Sequence, residues 1–240
     1  MYSLYAGLDK AKDQSYMLYR LSQEQLSKVI FPLGELTKQK AREMARNWNL
    51  PVAERKESQE ICFLHHTDYR DFLRVELGDQ YFKAGDIVDV NGNVIGRHKG
   101  LINYTIGQRK GIDQKQKNRE TEEQKNKTPL YVVGFDLPDN RLIVGDDTDT
   151  FRKEMEVTDL HWAKPNNKFQ ISNIASNVQV KIRSQAKAVD CLIQNLEGKT
   201  QNVTANSVRV VFAEKQRAVT PGQSAVFYVG DEVVGGGKIT

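Results

Sequence analysis

Cys62 is one of only two cysteines in 240 residues, and it stands in Arg55-Lys56-Glu57-Ser58-Gln59-Glu60-Ile61-Cys62-Phe63-Leu64, a short apolar run behind a charged stretch. An exposed thiol beside Arg55 or Lys56, or near a helix terminus, ionises more readily and becomes a reactive nucleophile. Free cysteine is equally among the most buried residue types, and packing beside Ile61 and Phe63 is the plainer reading of these residues alone. Cys191 alternates in phase with Val189 and Ile193, which places it on an expected core face. Two cysteines so far apart form no disulfide framework, and without a second cysteine pair Cys62, His65 and His66 make no zinc set. The two histidines could act as acid–base groups, but neither has an orienting partner, so surface or capping roles are expected.

Other candidates are basic. Lys12-Asp13-Gln14 joins a cation, a carboxylate and an amide, a set able to meet a phosphate and a base edge, although Asp13 as a plain helix N-cap explains much of it. Thr105-Ile106-Gly107-Gln108-Arg109-Lys110-Gly111 sets two cations between glycines, as a phosphate contact or as turn decoration. Lys181 and Arg183 share one face if residues 178–182 form a strand, which suits a polyanion backbone or simple solvation. Gly235-Gly236-Gly237-Lys238 is no phosphate-binding loop, since it lacks the glycine spacing and the Ser or Thr after the lysine.

The elements that must carry these residues follow from periodicity. Residues 13–30 read as two short helices, with capping-box spacing at Ser22 and Gln25. Thr37 caps a helix through Trp48 that ends at Leu50-Pro51, and Thr67 caps another bearing Tyr69, Phe72 and Leu73. Near Tyr81 the period changes: residues 85–96 read as a hairpin with a type I′ turn at Asn91-Gly92, and strands follow at 130–135 and 141–144. Residues 113–128 contain no apolar side chain and are expected to form an exposed mobile loop. Strands at 155–160, 169–174, 178–182, 188–193, 208–212, 224–228 and 235–239 suggest a closed barrel or sandwich. The expected fold is an α+β central domain over 1–160 (helical 1–78, β-rich 79–160), followed by an all-β barrel over 161–240.

Hydrophobic residues make up 39% and charged residues 28%, the composition of a globular protein rather than a disordered one. The net charge of +4 permits a polyanionic partner without demanding one. With no signal-peptide pattern at the start and no stretch of membrane-spanning length, a cytoplasmic location is expected.

The ordered segments KDQSYMLYRLSQEQL, FPLGELTKQKAREMA, SQEICFL, GRHKGLINYTIGQRKG, YVVGFD, KIR and PGQSAVFYVGDEVVGGGKI closely resemble the tRNA-specific 2-thiouridylases, over essentially the whole chain. The resemblance implies a sulfurtransferase that thiolates C2 of the wobble uridine of tRNA. It implies that Cys62 is the catalytic cysteine that carries sulfur as a persulfide. Lys12, Asp13 and Gln14, then Arg183, Ser184 and Gln223, match segments that contact tRNA, and the barrel is expected to resemble the second domain of elongation factors.

The family's N-terminal ATP-pyrophosphatase domain, with its Ser-Gly-Gly-x-Asp-Ser loop and first catalytic cysteine, has no counterpart motif in these residues. No cofactor is therefore expected on this chain; ATP with magnesium is expected on that domain, whether joined or separate. The implied partners are tRNA and a persulfide donor such as a cysteine desulfurase or relay protein, with no membrane. By itself the chain is not expected to activate ATP. Two positions depart from the family pattern: Glu60 precedes Ile61 where a glycine is usual, placing a negative charge near the thiol, and Ser184 replaces a common tyrosine. The alternative is a noncatalytic tRNA-binding or adaptor module in which Cys62 is only packed.

Overall fold

In a computed structural model of the chain, the residues described are 1–55, 68–112, 129–164, 177–195 and 207–240. Helix signals near the N-terminus become α1 (Ser15–Leu18), α2 (Gln23–Leu26) and α3 (Lys38–Asn47). At α2 the Ser22 hydroxyl accepts from the Gln25 amide and the Gln25 side chain accepts from the Ser22 amide, the capping box its spacing predicts. α3 begins at Thr37, whose hydroxyl accepts from the Lys40 amide at 3.2 Å. α4 (Tyr69–Leu77) is capped by Asp68, which accepts from the Arg70 amide at 2.8 Å; Thr67, the expected cap, lies outside the described residues. A carboxylate there both satisfies an open N–H and complements the positive end of the helix dipole.

Two compact units are discontinuous in sequence: Met1–Lys56 with Lys153–Gln216 and Thr220–Thr240, and Glu57–Arg152 with Arg217–Val219. The division therefore does not fall at residue 160. The strand read at 155–160 is the middle of β6 (Phe151–Trp162), a barrel strand.

In the first unit β1 (Leu4–Tyr5) is followed after a long gap by β6, β7 (Val178–Lys181), β8 (Val189–Asn195), β9 (Val208–Arg217), β10 (Ser224–Val229) and β11 (Glu232–Ile239). The order β11-β10-β7-β8-β9-β6 closes on itself through β6 and β11, giving a six-stranded antiparallel barrel with β1 added to the start of β11. Closure removes the open edges that would invite aggregation. The strand expected at 169–174 lies outside the described residues.

β10 is buried on both faces, which is why Ser-Ala-Val-Phe-Tyr-Val reads as an unbroken apolar run. Val226 and Tyr228 pack with Leu4, Tyr16, Tyr19 and Leu26 from the N-terminal segment. From the opposite face Phe227 stacks on Trp162, with ring centroids 5.7 Å apart. A helical segment at one end of the chain is thereby seated on the barrel at the other.

The second unit holds β2 (Gly85–Asp89), β3 (Val94–His98), β4 (Tyr131–Asp136) and β5 (Arg141–Gly145) in the order β3-β2-β5-β4, with β2 and β5 parallel. Ile87, Val132, Leu142 and Val144 form its core. The β2–β3 turn is not type I′: of Asn91 and Gly92 only Gly92 has positive φ, at 86°. The Gly92 amide bonds to the Asp89 carbonyl, and the Asp89 carboxylate gathers the amides of Asn91 and Asn93, so the connection is an Asp-led three-residue loop, one residue longer than a type I′ hairpin, with a register shift at Ile87/Val88. His98 is buried and fully bonded: Nδ1 accepts from the Gly100 amide and Nε2 donates to the Asn140 carbonyl, each at 3.0 Å. Residues 113–128, read as a mobile loop, lie outside the described residues.

Candidate functional site

Of the expected site residues, Cys62 lies outside the described residues, as do His65 and His66. The other six, Lys12, Asp13, Gln14, Arg183, Ser184 and Gln223, all belong to the first unit. Lys12 ends a turn closed by its own amide bonding to the Asp9 carbonyl, and its side chain is exposed. Gln14 occupies the N-cap position of α1 without a capping side-chain bond, so its amide group is not used by the helix. Arg183 and Ser184 lie beyond the end of β7, in a turn closed by the Ala186 amide on the Arg183 carbonyl. Gln223 is exposed beside the chain terminus, its backbone carbonyl accepting from the Ile239 amide at 2.8 Å.

Asp13 stands one residue before the N-cap position of α1, and its carboxylate accepts from the first amide of that helix as part of a wider set of bonds. Its side chain is 3% exposed, and both oxygens are engaged within the protein. Oδ1 accepts from the amides of Gly7 and Ser15, each at 3.0 Å. Oδ2 accepts from the Ser15 hydroxyl at 2.7 Å and faces the Lys181 ammonium at 3.4 Å. Because the Ser15 proton goes to Asp13, Tyr228 Oη, 3.1 Å away, must be the donor to Ser15 Oγ. Lys181 also lies over the Tyr228 ring, 5.0 Å from its centroid.

This network ties the 12–14 segment to β7 and β10. A second tie comes from Tyr16, whose hydroxyl donates to the Ser224 carbonyl at 2.8 Å, one residue from Gln223. Arg183 is close enough to Tyr16 to act on its titration. Stretches of sequence around residues 13, 183 and 223 are thus joined in one region. Sequence reasoning singled out Lys181 only as an alternating cation, and nothing in the sequence pointed to Ser15 or Tyr228.

Burial opposes ionisation of Asp13, yet the Gly7 and Ser15 hydrogen bonds and the Lys181 charge together hold its carboxyl below its ordinary value of 3.8. A depressed folded value contributes stability that is present above the unfolded pKa and is lost as pH falls through the folded one. The Gly7 and Ser15 amides are therefore expected to be protected from exchange near neutral pH and released as pH drops below 3.8. Unchanged protection of both through that range would contradict the arrangement. Burial pushes Tyr228 up to about 12, so it stays a neutral donor to Ser15. Burial, and then Asp190, push the Cys191 thiol up to about 12 as well, which makes it a packing residue.

Among the described residues, no group of three or more His, Cys, Asp or Glu is placed to hold a metal, and no helix is long and apolar enough to cross a membrane. Nor does the glycine triplet suit a nucleotide. Gly235, Gly236 and Gly237 lie inside β11, buried between neighbouring strands, with no helix N-terminus to offer a phosphate.

Three family models match in succession: a tRNA methyl transferase HUP domain over residues 1–66, a tRNA methyl transferase PRC-barrel domain over 70–146, and an aminomethyltransferase beta-barrel domain over 152–239. Curated relatives align along nearly the whole chain. The tRNA-specific 2-thiouridylase MnmA 1 of Caldanaerobacter subterraneus subsp. tengcongensis is 43% identical over 240 residues, which is 99% of this chain and 59% of that protein. The tRNA-specific 2-thiouridylase MnmA of Carboxydothermus hydrogenoformans is 41% identical over 238 residues, and that of Acetivibrio thermocellus 40% identical over 240.

The chain belongs to the tRNA-specific 2-thiouridylase family.

It spans about three-fifths of the length of the curated relatives it matches. The aminomethyltransferase beta-barrel model begins at residue 152, inside β6, in keeping with the contacts that place this strand in the barrel. The HUP model covers the segment that carries Lys12, Asp13 and Gln14, and here that segment is seated on the barrel through β1, α1 and α2.

Proposed function

We propose that this chain is the tRNA-holding and sulfur-carrying part of a tRNA-specific 2-thiouridylase, which transfers persulfide sulfur to C2 of the wobble uridine. Sulfur rather than methyl transfer follows the relatives, which are thiouridylases aligned over 99% of this chain. The observation that supports this reading is that the Tyr16–Ser224 and Asp13–Lys181 bonds tie the stretches carrying Lys12, Gln14, Arg183 and Gln223 to one another in a single unit. Cations of Lys12 and Arg183 suit phosphates, while the Gln14 and Gln223 amides can both donate and accept toward base edges or 2′-hydroxyls. Asp13 and Ser184 complete the set of tRNA-binding positions. The closed barrel is, on this reading, an RNA-facing domain of the elongation-factor domain 2 kind. Cys62 is the catalytic thiol that takes sulfur from a persulfide donor.

On this reading the uridine oxygen is activated by ATP with magnesium, a step assigned to an ATP-pyrophosphatase domain, joined or separate.

Binding of unmodified tRNA to the purified chain is expected to weaken steeply with salt. Lys12→Ala and Arg183→Ala should each reduce the slope of log affinity against log salt by about 0.7–0.9, the value of one lost phosphate contact. An unchanged slope in both variants would remove this site from the RNA interface.

A further inference from the structure

Asp13 stands among the tRNA-binding positions, yet its carboxylate has little left to give an RNA. Four donors already occupy its two oxygens: the Gly7 amide, the Ser15 amide, the Ser15 hydroxyl and the Lys181 ammonium. A carboxylate offers about four lone-pair sites, so the acceptor capacity is filled. Its 3% exposure also keeps it from reaching a base, and its charge would repel a phosphate. Lys181 is similarly committed. It is 15% exposed, its charge is met by Asp13, and its ammonium lies over the Tyr228 ring.

The register explains the fit. Lys181 on β7 is directly opposite Val226 of β10, and Gln179 is opposite Tyr228, so Lys181 and Tyr228 are diagonal neighbours on one face. That face is the one on which Tyr16 and Tyr19 of the N-terminal segment pack. Asp13 reaches the same face from two residues before α1, with Lys12 and Gln14 on either side of it in the chain.

We infer that Asp13 and Lys181 form a clasp that positions Lys12 and Gln14 for tRNA, and that neither member of the pair is itself a tRNA contact. The inference rests on the tRNA-binding reading above and assigns different work within it. Direct contacts lie at Lys12, Gln14 and Arg183; the ion pair, the Ser15 hydroxyl and Tyr228 hold the loop that presents two of them. Tyr228 donating to Ser15, which donates to Asp13, forms a polarised chain ending on the carboxylate, so each bond strengthens the next.

The test is a mutant cycle in the full chain, using Asp13→Asn, Lys181→Met and the double variant, read by amide exchange at Gly7 and Ser15 and by affinity for unmodified tRNA. Each single substitution leaves an unmatched partner in a nearly buried place. Each is therefore expected to speed exchange at both amides and to weaken tRNA binding about tenfold. The double variant removes both charges and should bind within about threefold of the parent, because coupled partners do not add. Lys12→Ala introduced on Lys181→Met should cost less than about twofold more, since Lys12 is already displaced.

Losses that simply multiply in the double variant, with Gly7 and Ser15 exchange unchanged in the singles, would overturn the clasp and make both residues direct contacts. Lys181→Arg keeps the charge and is the variant to read if Lys181→Met does not fold; it is expected to stay within about threefold of the parent. Should the parent fail to bind tRNA at low salt, the tRNA reading falls, and the exchange measurements still decide whether the clasp exists.

Discussion

Replacing Cys62 by serine is expected to abolish sulfur loading of this chain and to reduce thiolation of tRNA by the assembled enzyme at least about a thousandfold. Under the proposed role, loading would be an exchange in which the Cys62 thiolate attacks the terminal sulfur of a donor persulfide, a Cys62 persulfide forms, and the donor leaves as its thiolate. A serine hydroxyl cannot take part, because it neither ionises near neutral pH nor forms a stable bond to the sulfane sulfur. The measurement is mass spectrometry of the intact chain after exposure to a cysteine desulfurase and cysteine, with parent and Cys62→Ser side by side. An added sulfur atom in the parent that is missing in the variant is the expected result.

The assay is clean because the only other thiol is inert. Cys191 sits buried in β8, with burial pushing its thiol up to about 12, so it holds almost no thiolate at neutral pH. Sulfur retained by Cys62→Ser, or a parent that stays unmodified while the desulfurase charges a known acceptor, would sink the assignment and favour an adaptor that only binds tRNA. Glu60 sharpens the experiment. A negative charge two residues before Cys62 in the sequence would disfavour its thiolate, so Glu60→Gly is expected to load faster than the parent.

Gly236→Ala is expected to be among the most damaging small substitutions in the barrel. A Cβ at Gly236 would lie 2.6 Å from the Ala225 carbonyl oxygen and 2.7 Å from the ring of Tyr19. The first obstacle is backbone of the paired strand β10, and the second is a nearly buried aromatic in the cluster that seats α1 on the barrel. Neither can yield without loosening the sheet or lifting the N-terminal segment. Overpacking of this kind costs about 1–3 kcal/mol, which corresponds to a melting point lower by about 3–10 °C for a chain of this size.

Gly134→Ala is the control. A Cβ there meets only ordinary contact with Ile143 at 3.7 Å, so its melting point should stay close to the parent's. Equal stability of the two variants would mean that the glycine triplet is not required by close packing. Because Tyr19 neighbours the Tyr16 tie to Ser224, tRNA affinity should fall along with the melting point in Gly236→Ala.

Much of this molecule was legible because the signals are local. The caps at Ser22 and Thr37 follow from which side chain can reach an open amide within three residues. The strands follow from alternation, and β8 carries Cys191 and Ile193 on its buried side as their spacing requires. The Asn91-Gly92 turn shows the boundary of such reasoning. The dipeptide marks a turn, but its type was settled by the Asp89 carboxylate collecting two amides and by the register shift at Ile87/Val88.

By themselves, then, the 240 residues determined the order of helices and strands, a barrel toward the C-terminus, and through their ordered segments the family to which the chain belongs. Only the tertiary structure decided that β6 shares a barrel with β11, that the triplet glycines clear a path for Tyr19, Trp162 and Val157, and that Asp13, besides meeting the Ser15 amide at the start of α1, is paired with Lys181. The physical reason is distance along the chain. A cap or an alternation is written within a few residues, whereas an ion pair whose partners are separated by 168 positions exists only once barrel closure has carried both to the same face.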